Sequence, residues 1–301
     1  MRIEGAFAAM ATPFAADGTV ARDVLRAMVD FMIERGIDGI FAASTVGEYV
    51  HLSDEERYEL IRSTIEFARG RVPVLAGAGD IGVERVIRHC REFRAAGAAA
   101  AVIAPPYYYV MKQDDLVAHY ERVAERIELP FVLYHIPQFS NSLRVETMLR
   151  IVERCRPAAI KNSSPDVIEM MALLGALEGK GIPYLVGPDE LLFTGLELGA
   201  AGSMSGLSGI VPEAVRALID AFRRGDSGRA RRLQFEMLEL LALVADIPFP
   251  AWIKLMLSAR GFDMGPPIGA LARATVERIE ARRPAIADKI DALVRSASTR
   301  P

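Results

Sequence analysis

The chain alternates short apolar runs with amphipathic stretches, and this alternation limits its folds more than any single residue does. Apolar runs fall near 6–11, 37–43, 72–77, 99–104, 131–135, 158–161, 184–187 and 202–205. Helical periodicity fills the gaps, near 20–35, 53–69, 82–96, 112–127, 144–154, 165–178, 189–198 and 212–224. Nearly unbroken apolar strands must be covered on both faces, which parallel strands joined by helices achieve. Eight such units predict a (β/α)8 TIM barrel. A doubly wound open sheet shares the local pattern and is the runner-up. After residue 225 the pattern is helical only, near 226–245, 250–260, 267–282 and 284–298. We therefore expect a barrel domain over 1–224 and a small C-terminal helical domain over 225–301. Ser53-Asp54-Glu55-Glu56 spells a capping box, and Gly36, Gly70, Gly97 and Gly199 follow helix ends, where a left-handed cap favours glycine.

Composition narrows the function classes. A net charge of −3 with no basic stripe argues against a nucleic-acid partner. The longest uncharged stretch, Ala95 to Met111, is interrupted by Pro105-Pro106, so no membrane span is expected. Glu4 interrupts what a signal peptide would need, and Cys90 and Cys155 make no disulfide framework, so a cytoplasmic location is expected. The four histidines form no metal-ligand spacing. Gly77-Ala78-Gly79-Asp80-Ile81-Gly82 spells the dinucleotide fingerprint, but in the third unit and without a following strand that ends in an acid, so NAD is not expected.

Lys161 stands out chemically. Only five of the 36 basic residues are lysines, and this one closes an apolar strand and precedes Asn162-Ser163-Ser164. Arginine cannot release its proton near neutral pH, whereas a buried lysine can, and the free amine attacks carbonyl carbons. A strand-end lysine snorkelling to water is the plain alternative. Tyr108, Tyr134 and Lys161 are spaced 26 and 27 residues apart, about one unit each, so a barrel would bring them to one rim. A phenol near the amine can relay protons. Each tyrosine taken alone reads equally well as a strand-end aromatic with a wet hydroxyl. Gly47 fits a tight turn after the second strand, where backbone N–H groups and Thr45 could hold a carboxylate.

These residues carry a resemblance. Ser44-Thr45-Val46-Gly47-Glu48 resembles a Gly-Thr-Thr-Gly-Glu loop. Pro106-Tyr107-Tyr108 resembles Pro-Tyr-Tyr, Tyr134-His135-Ile136-Pro137 resembles Tyr-Asn-x-Pro, and Ile160-Lys161-Asn162-Ser163-Ser164 resembles Ile-Lys-Asp-Ser-Ser. All four, in order, are motifs of the dihydrodipicolinate synthase / N-acetylneuraminate lyase family of pyruvate-dependent class I aldolases. The resemblance covers the whole chain.

It implies a homotetramer built as a dimer of dimers. It implies an imine between Lys161 and a 2-keto acid, with no other cofactor and no metal. Tyr134 would shuttle protons, Thr45 and the Val46 backbone would hold the keto-acid carboxylate, and Tyr108 would serve a neighbour's relay. Gly187 and the backbone near Ser205 would line the pocket. Phe139 stands where the synthase branch has an arginine for its second substrate, a bidentate contact an aromatic cannot make, so dihydrodipicolinate synthesis is not expected. Val46 stands where the family usually has a second hydroxyl. His135 replaces an asparagine and should point away from Tyr134 by strand alternation. Gly187-Pro188-Asp189-Glu190 resembles the acidic pair of the sialic-acid lyase branch, which binds sugar hydroxyls. Acids in a first helical turn are also favoured by the dipole alone. Ser163 and Ser164 could add hydroxyls or cap the next helix.

A lyase that splits a 2-keto-3-deoxy sugar acid into pyruvate and an aldehyde is the expected function. Keto-acid dehydration and a dihydrodipicolinate-synthase-like condensation are the enzymatic alternatives, and an inactive keto-acid-binding barrel is the non-enzymatic one. Trp252 is expected to anchor the tail helices.

Overall fold

The computed structural model describes residues 2–266 and 269–299. Eight parallel strands close into a barrel in sequence order: β1 (Gly5–Ala9), β2 (Gly39–Ala42), β3 (Val74–Gly77), β4 (Ala100–Ile103), β5 (Phe131–His135), β6 (Ala159–Asn162), β7 (Tyr184–Val186) and β8 (Gly202–Ser205). Closure of β8 onto β1, with Phe7 opposite Met204, rules out the open sheet. Every strand residue is buried, because alternate side chains face either the barrel axis or the helices. Phe7, Phe41, Leu75, Val132, Leu185 and Met204 fill the axis. A larger apolar layer lies between strands and helices.

The strands alternate with α1 (Arg22–Glu34), α2 (Asp54–Ala68), α3 (Val83–Ala96), α4 (Gln113–Ala124), α5 (Val145–Cys155), α6 (Val167–Leu177) and α7 (Leu192–Glu197). Helix α1 shows why they form. Leu25, Met28, Val29 and Met32 recur at helical spacing and are buried on the barrel. The Ser53–Glu56 capping box is present, and Gly97 ends α3 at φ 91°. The stretch expected as one helix over 189–198 divides into a 3-10 turn, Asp189–Leu191, and α7.

After β8 come a one-turn helix α8 (Leu207–Ile210), α9 (Pro212–Arg223), α10 (Ser227–Ala242), α11 (Ala251–Ala259) and α12 (Arg273–Ser298). The sequence predicts a break before Pro284, yet α12 runs through it. Proline removes one helical hydrogen bond. Ile279, Ile286, Ile290 and Leu293 on both sides of it are buried, and α12 packs on α9, α10 and α11, so tertiary burial outweighs that local loss. No described helix is long and apolar enough to cross a membrane.

Candidate active site

The carboxyl ends of the strands open on a cavity of about 520 Å³. Its wall includes Lys161 and Tyr134, and also Thr45, Val46, Phe139, Ser163, Gly187, Asp189, Glu190 and Ser205. Of the residues that the sequence analysis assigned to catalysis or substrate binding, Tyr108 and Ser164 do not line it.

Lys161 and Tyr134 are register partners across β5 and β6. The lysine is 3% exposed, with Nζ 4.2 Å from the centre of the Tyr134 ring and 4.9 Å from that of Phe41. Among the described residues its amine enters no ion pair. The two rings therefore hold the ammonium or amine by their faces rather than by a fixed anion. Ser163 Oγ lies 3.5 Å from the Tyr134 hydroxyl. Gly187 sits so close to this corner that a Cβ would collide with Ser163 Oγ and approach Asn162 O to 2.7 Å, so glycine is required there by space.

In the turn after β2, Gly47 does not have a positive φ; the left-handed residues are Ala43, at φ 50°, and Glu48, at φ 58°. Glycine is needed because a Cβ would lie 2.8 Å from Met10 O and 3.0 Å from Thr12 Oγ1. Thr12 Oγ1 donates to Gly47 O (2.7 Å), and Ser44 Oγ donates to Met10 O (3.0 Å). These bonds fix the turn while the N–H groups of Thr45 and Val46 donate to no acceptor among the described residues. Two successive unspent amides at a cavity wall form an anion-binding feature.

Asp189 is buried. Leu207 N–H donates to its Oδ2 (3.1 Å), and its Oδ1 has no hydrogen-bond partner among the described residues. Burial raises its pKa to about 7, against lowering by the Ser205 hydroxyl, and the nearby Glu190 adds to the rise. In the unfolded chain an aspartyl group deprotonates near pH 4. Between these values the folded state holds the extra proton, so this group's contribution to stability falls as pH rises from 4 through 7. We expect Asp189→Asn to flatten that decline. Urea denaturation at pH 5 and pH 8 checks it, and an unchanged pH dependence would contradict the assignment.

Tyr108 lies elsewhere. It sits at φ 78° in the loop after β4, is 87% exposed, and does not line its own chain's cavity. Asn141 sets this placement. Its Nδ2 donates to Pro106 O and Tyr109 O, and its Oδ1 accepts from Met111 N–H, which pins the loop with Tyr108 outward. The expectation that all three residues share one rim within a chain is therefore corrected. Tyr107 is the half-buried member, and with Tyr49, His51 and Phe139 it lines an adjoining cavity of about 350 Å³.

His135 faces away from Tyr134 as expected. It approaches Glu169 Oε1 (3.5 Å), and that carboxylate accepts from Asn162 Nδ2 (2.9 Å), so it orients the β6 end from outside. The Gly77–Gly82 stretch serves the backbone. Buried Arg57 donates to Gly77 O and to Gly79 O (3.1 Å), with His89 linked to Asp80 (3.1 Å) behind it. Arg57 also stacks on Tyr49, which burial pushes above the ordinary phenol pKa.

Sequence reasoning missed two features. Phe139 stacks on Phe249 (centroids 5.5 Å, 27° apart), and Phe249 meets Trp252 edge-on, so Trp252 and Phe249 wall the cavity as well as anchoring the tail. Lys254, on α11, is buried and pairs with Glu48 Oε1 at 3.0 Å. It also donates to Pro266 O (2.9 Å). The signal for the first was the aromatic pair around Pro250-Ala251; for the second, the rarity of lysine itself.

Fold and site together define a TIM barrel with a lysine amine set between aromatic rings at its mouth. The chain belongs to the dihydrodipicolinate synthetase family, whose model matches residues 2–282. It is 36% identical over 296 residues to the 4-hydroxy-tetrahydrodipicolinate synthase of Sorangium cellulosum, an alignment covering 94% of this chain and 98% of that one. A prophage protein of the dihydrodipicolinic acid synthase family from E. coli K12, solved in complex with pyruvate, superposes with a TM-score of 0.88 at 26% identity, over 97% and 98% of the two chains. The N-acetylneuraminate lyase of Mycoplasma synoviae shares the fold, with a TM-score of 0.85 at 22% identity over 95% and 97%.

Proposed function

We propose that the protein is a class I lyase that binds a 2-keto acid as an imine on Lys161 and cleaves it to pyruvate and an aldehyde. The observation that carries this reading is the buried Lys161 amine against the Tyr134 ring, with no ion-pair partner among the described residues. The free amine is the nucleophilic form. The keto-acid carboxylate is held by the unspent Thr45 and Val46 amides and the Thr45 hydroxyl. The amine adds to C2, water leaves, and the protonated imine becomes the electron sink. Tyr134 carries protons to and from the carbinolamine oxygen and the C4 hydroxyl. The C3–C4 bond then breaks, its electrons forming an enamine as the C4 hydroxyl becomes the aldehyde. Protonation at C3 and hydrolysis release pyruvate and restore the amine. No further cofactor is needed.

The same imine supports loss of water instead of carbon–carbon cleavage, and product analysis separates the two. On this reading Tyr108 acts in a neighbouring copy within a dimer of dimers. Phe139 in place of an arginine disfavours condensation with a second carboxylated substrate. Glu190, exposed at the rim, is the group that would favour the 2-keto-3-deoxy sugar acid expected from the sequence.

Borohydride added with pyruvate should reduce the imine and leave a stable mass on the Lys161 peptide alone. Peptide mass spectrometry reads it, and an unmodified Lys161 sinks the proposal.

A further inference from the structure

We infer that the part of the substrate beyond the keto acid is a flat apolar group, so that the aldehyde partner is an aryl aldehyde rather than a sugar. This deepens the imine reading and rests on it.

The cavity is divided by chemistry. Hydroxyls, the free amides and Lys161 gather at the strand ends. The lining also carries the contiguous aromatic set Phe139, Phe249 and Trp252, of which Phe139 is 55% and Phe249 39% exposed. Leaving several large apolar side chains wet and contiguous at a cavity mouth is unfavourable unless something covers them. Their geometry says what fits. Phe139 and Phe249 lie near-parallel and Trp252 stands at 60° to Phe249, so the wall offers both a face and an edge to a third ring.

A polyol placed there would lose water from each hydroxyl, and each would need a partner. The polar groups on that side are few. Gln138 donates one amide N–H to Ser163 O (3.0 Å), and Glu190 remains at the rim. Asp189 has its Oδ2 bound to the Leu207 N–H and its Oδ1 closed off from solvent. An aryl ring needs none of these and gains the burial of its whole surface.

The reaction is balanced as a retro-aldol cleavage. A 4-hydroxy-4-aryl-2-keto acid breaks at C3–C4, the C4 hydroxyl proton passes to Tyr134, the aryl aldehyde leaves, and the enamine takes a proton at C3 before hydrolysis to pyruvate.

The test compares 4-hydroxy-4-phenyl-2-oxobutanoate with 2-keto-3-deoxygluconate, following consumption of the keto acid and release of pyruvate, alongside borohydride trapping with pyruvate. We expect kcat/KM for the phenyl acid to exceed that for the sugar acid at least about tenfold. Trp252→Ala, and the surface change Phe139→Ala in case the former folds poorly, should move that ratio toward the sugar acid. Trapping on Lys161 with equal or faster turnover of the sugar acid, or with no turnover of the phenyl acid, overturns the aryl assignment and leaves the imine chemistry standing. Failure of trapping itself overturns the imine reading instead.

Discussion

Lys161→Ala loses imine trapping and lowers kcat/KM by roughly 10⁴-fold or more, the scale on which removal of a covalent nucleophile is felt. The reason is electronic rather than steric. Without the imine, the electrons of the breaking C3–C4 bond have only a ketone to receive them, and no other described amine lines the cavity. Lys161→Arg should be as inactive as the alanine variant, although it keeps a cation in the cavity wall, because a guanidinium does not give up its proton. The pair therefore separates nucleophilic catalysis from simple charge. Both variants should fold, since the native amine has no ion-pair partner among the described residues to orphan. Near-UV circular dichroism and turnover of the keto acid are the measurements. An arginine variant within tenfold of the parent would mean that the residue acts only as an electrostatic anchor.

Lys254→Met destabilises the protein by about 3–5 kcal/mol, the cost of breaking a buried ion pair from one side. Lys254 sits 3.0 Å from Glu48, donates to Pro266 O, and lies over the Phe14 ring at 4.3 Å. Methionine preserves most of the volume but removes the ammonium from the Glu48 carboxylate. Burial lowers the Lys254 pKa, against a smaller raising effect of Glu48. Glu48 is also the left-handed residue that closes the Thr45–Val46 turn, so the loss should appear as a raised KM for the keto acid. The double variant Glu48→Gln/Lys254→Met should recover much of the stability, because it removes both charges of the pair together. Urea denaturation of the four proteins gives the coupling energy, and a single-variant loss below about 1 kcal/mol would refute the pairing.

The sequence made the strand–helix repeat legible because burial on both strand faces leaves unbroken apolar runs. It made the Lys161–Tyr134 pair legible because one repeat unit separates residues on neighbouring strands. Thr45 followed from its place at a strand end, whereas Val46 and Gly187 entered through the family resemblance. What stayed hidden depends on contacts between distant segments. The continuation of α12 through Pro284 is decided by packing on three other helices, which local propensity does not encode. The outward placement of Tyr108 is decided by Asn141, in the loop after another strand. Gly47 was legible as a turn glycine, but the neighbours that crowd it, Met10 and Thr12, were not. The Phe249–Trp252 wall and the Lys254–Glu48 pair join the tail to the mouth, across most of the chain's length.

That joining has an evolutionary corollary. On the proposed reading, bond-breaking is inherited with the eight repeats, whereas part of the surface that meets the departing fragment is encoded about ninety residues after Lys161, around α11. A lineage can therefore drift in a few positions between Phe249 and Ile253 and acquire new diets while its electron sink stays untouched. Grafting that short stretch between relatives is the economical way to retarget the catalyst.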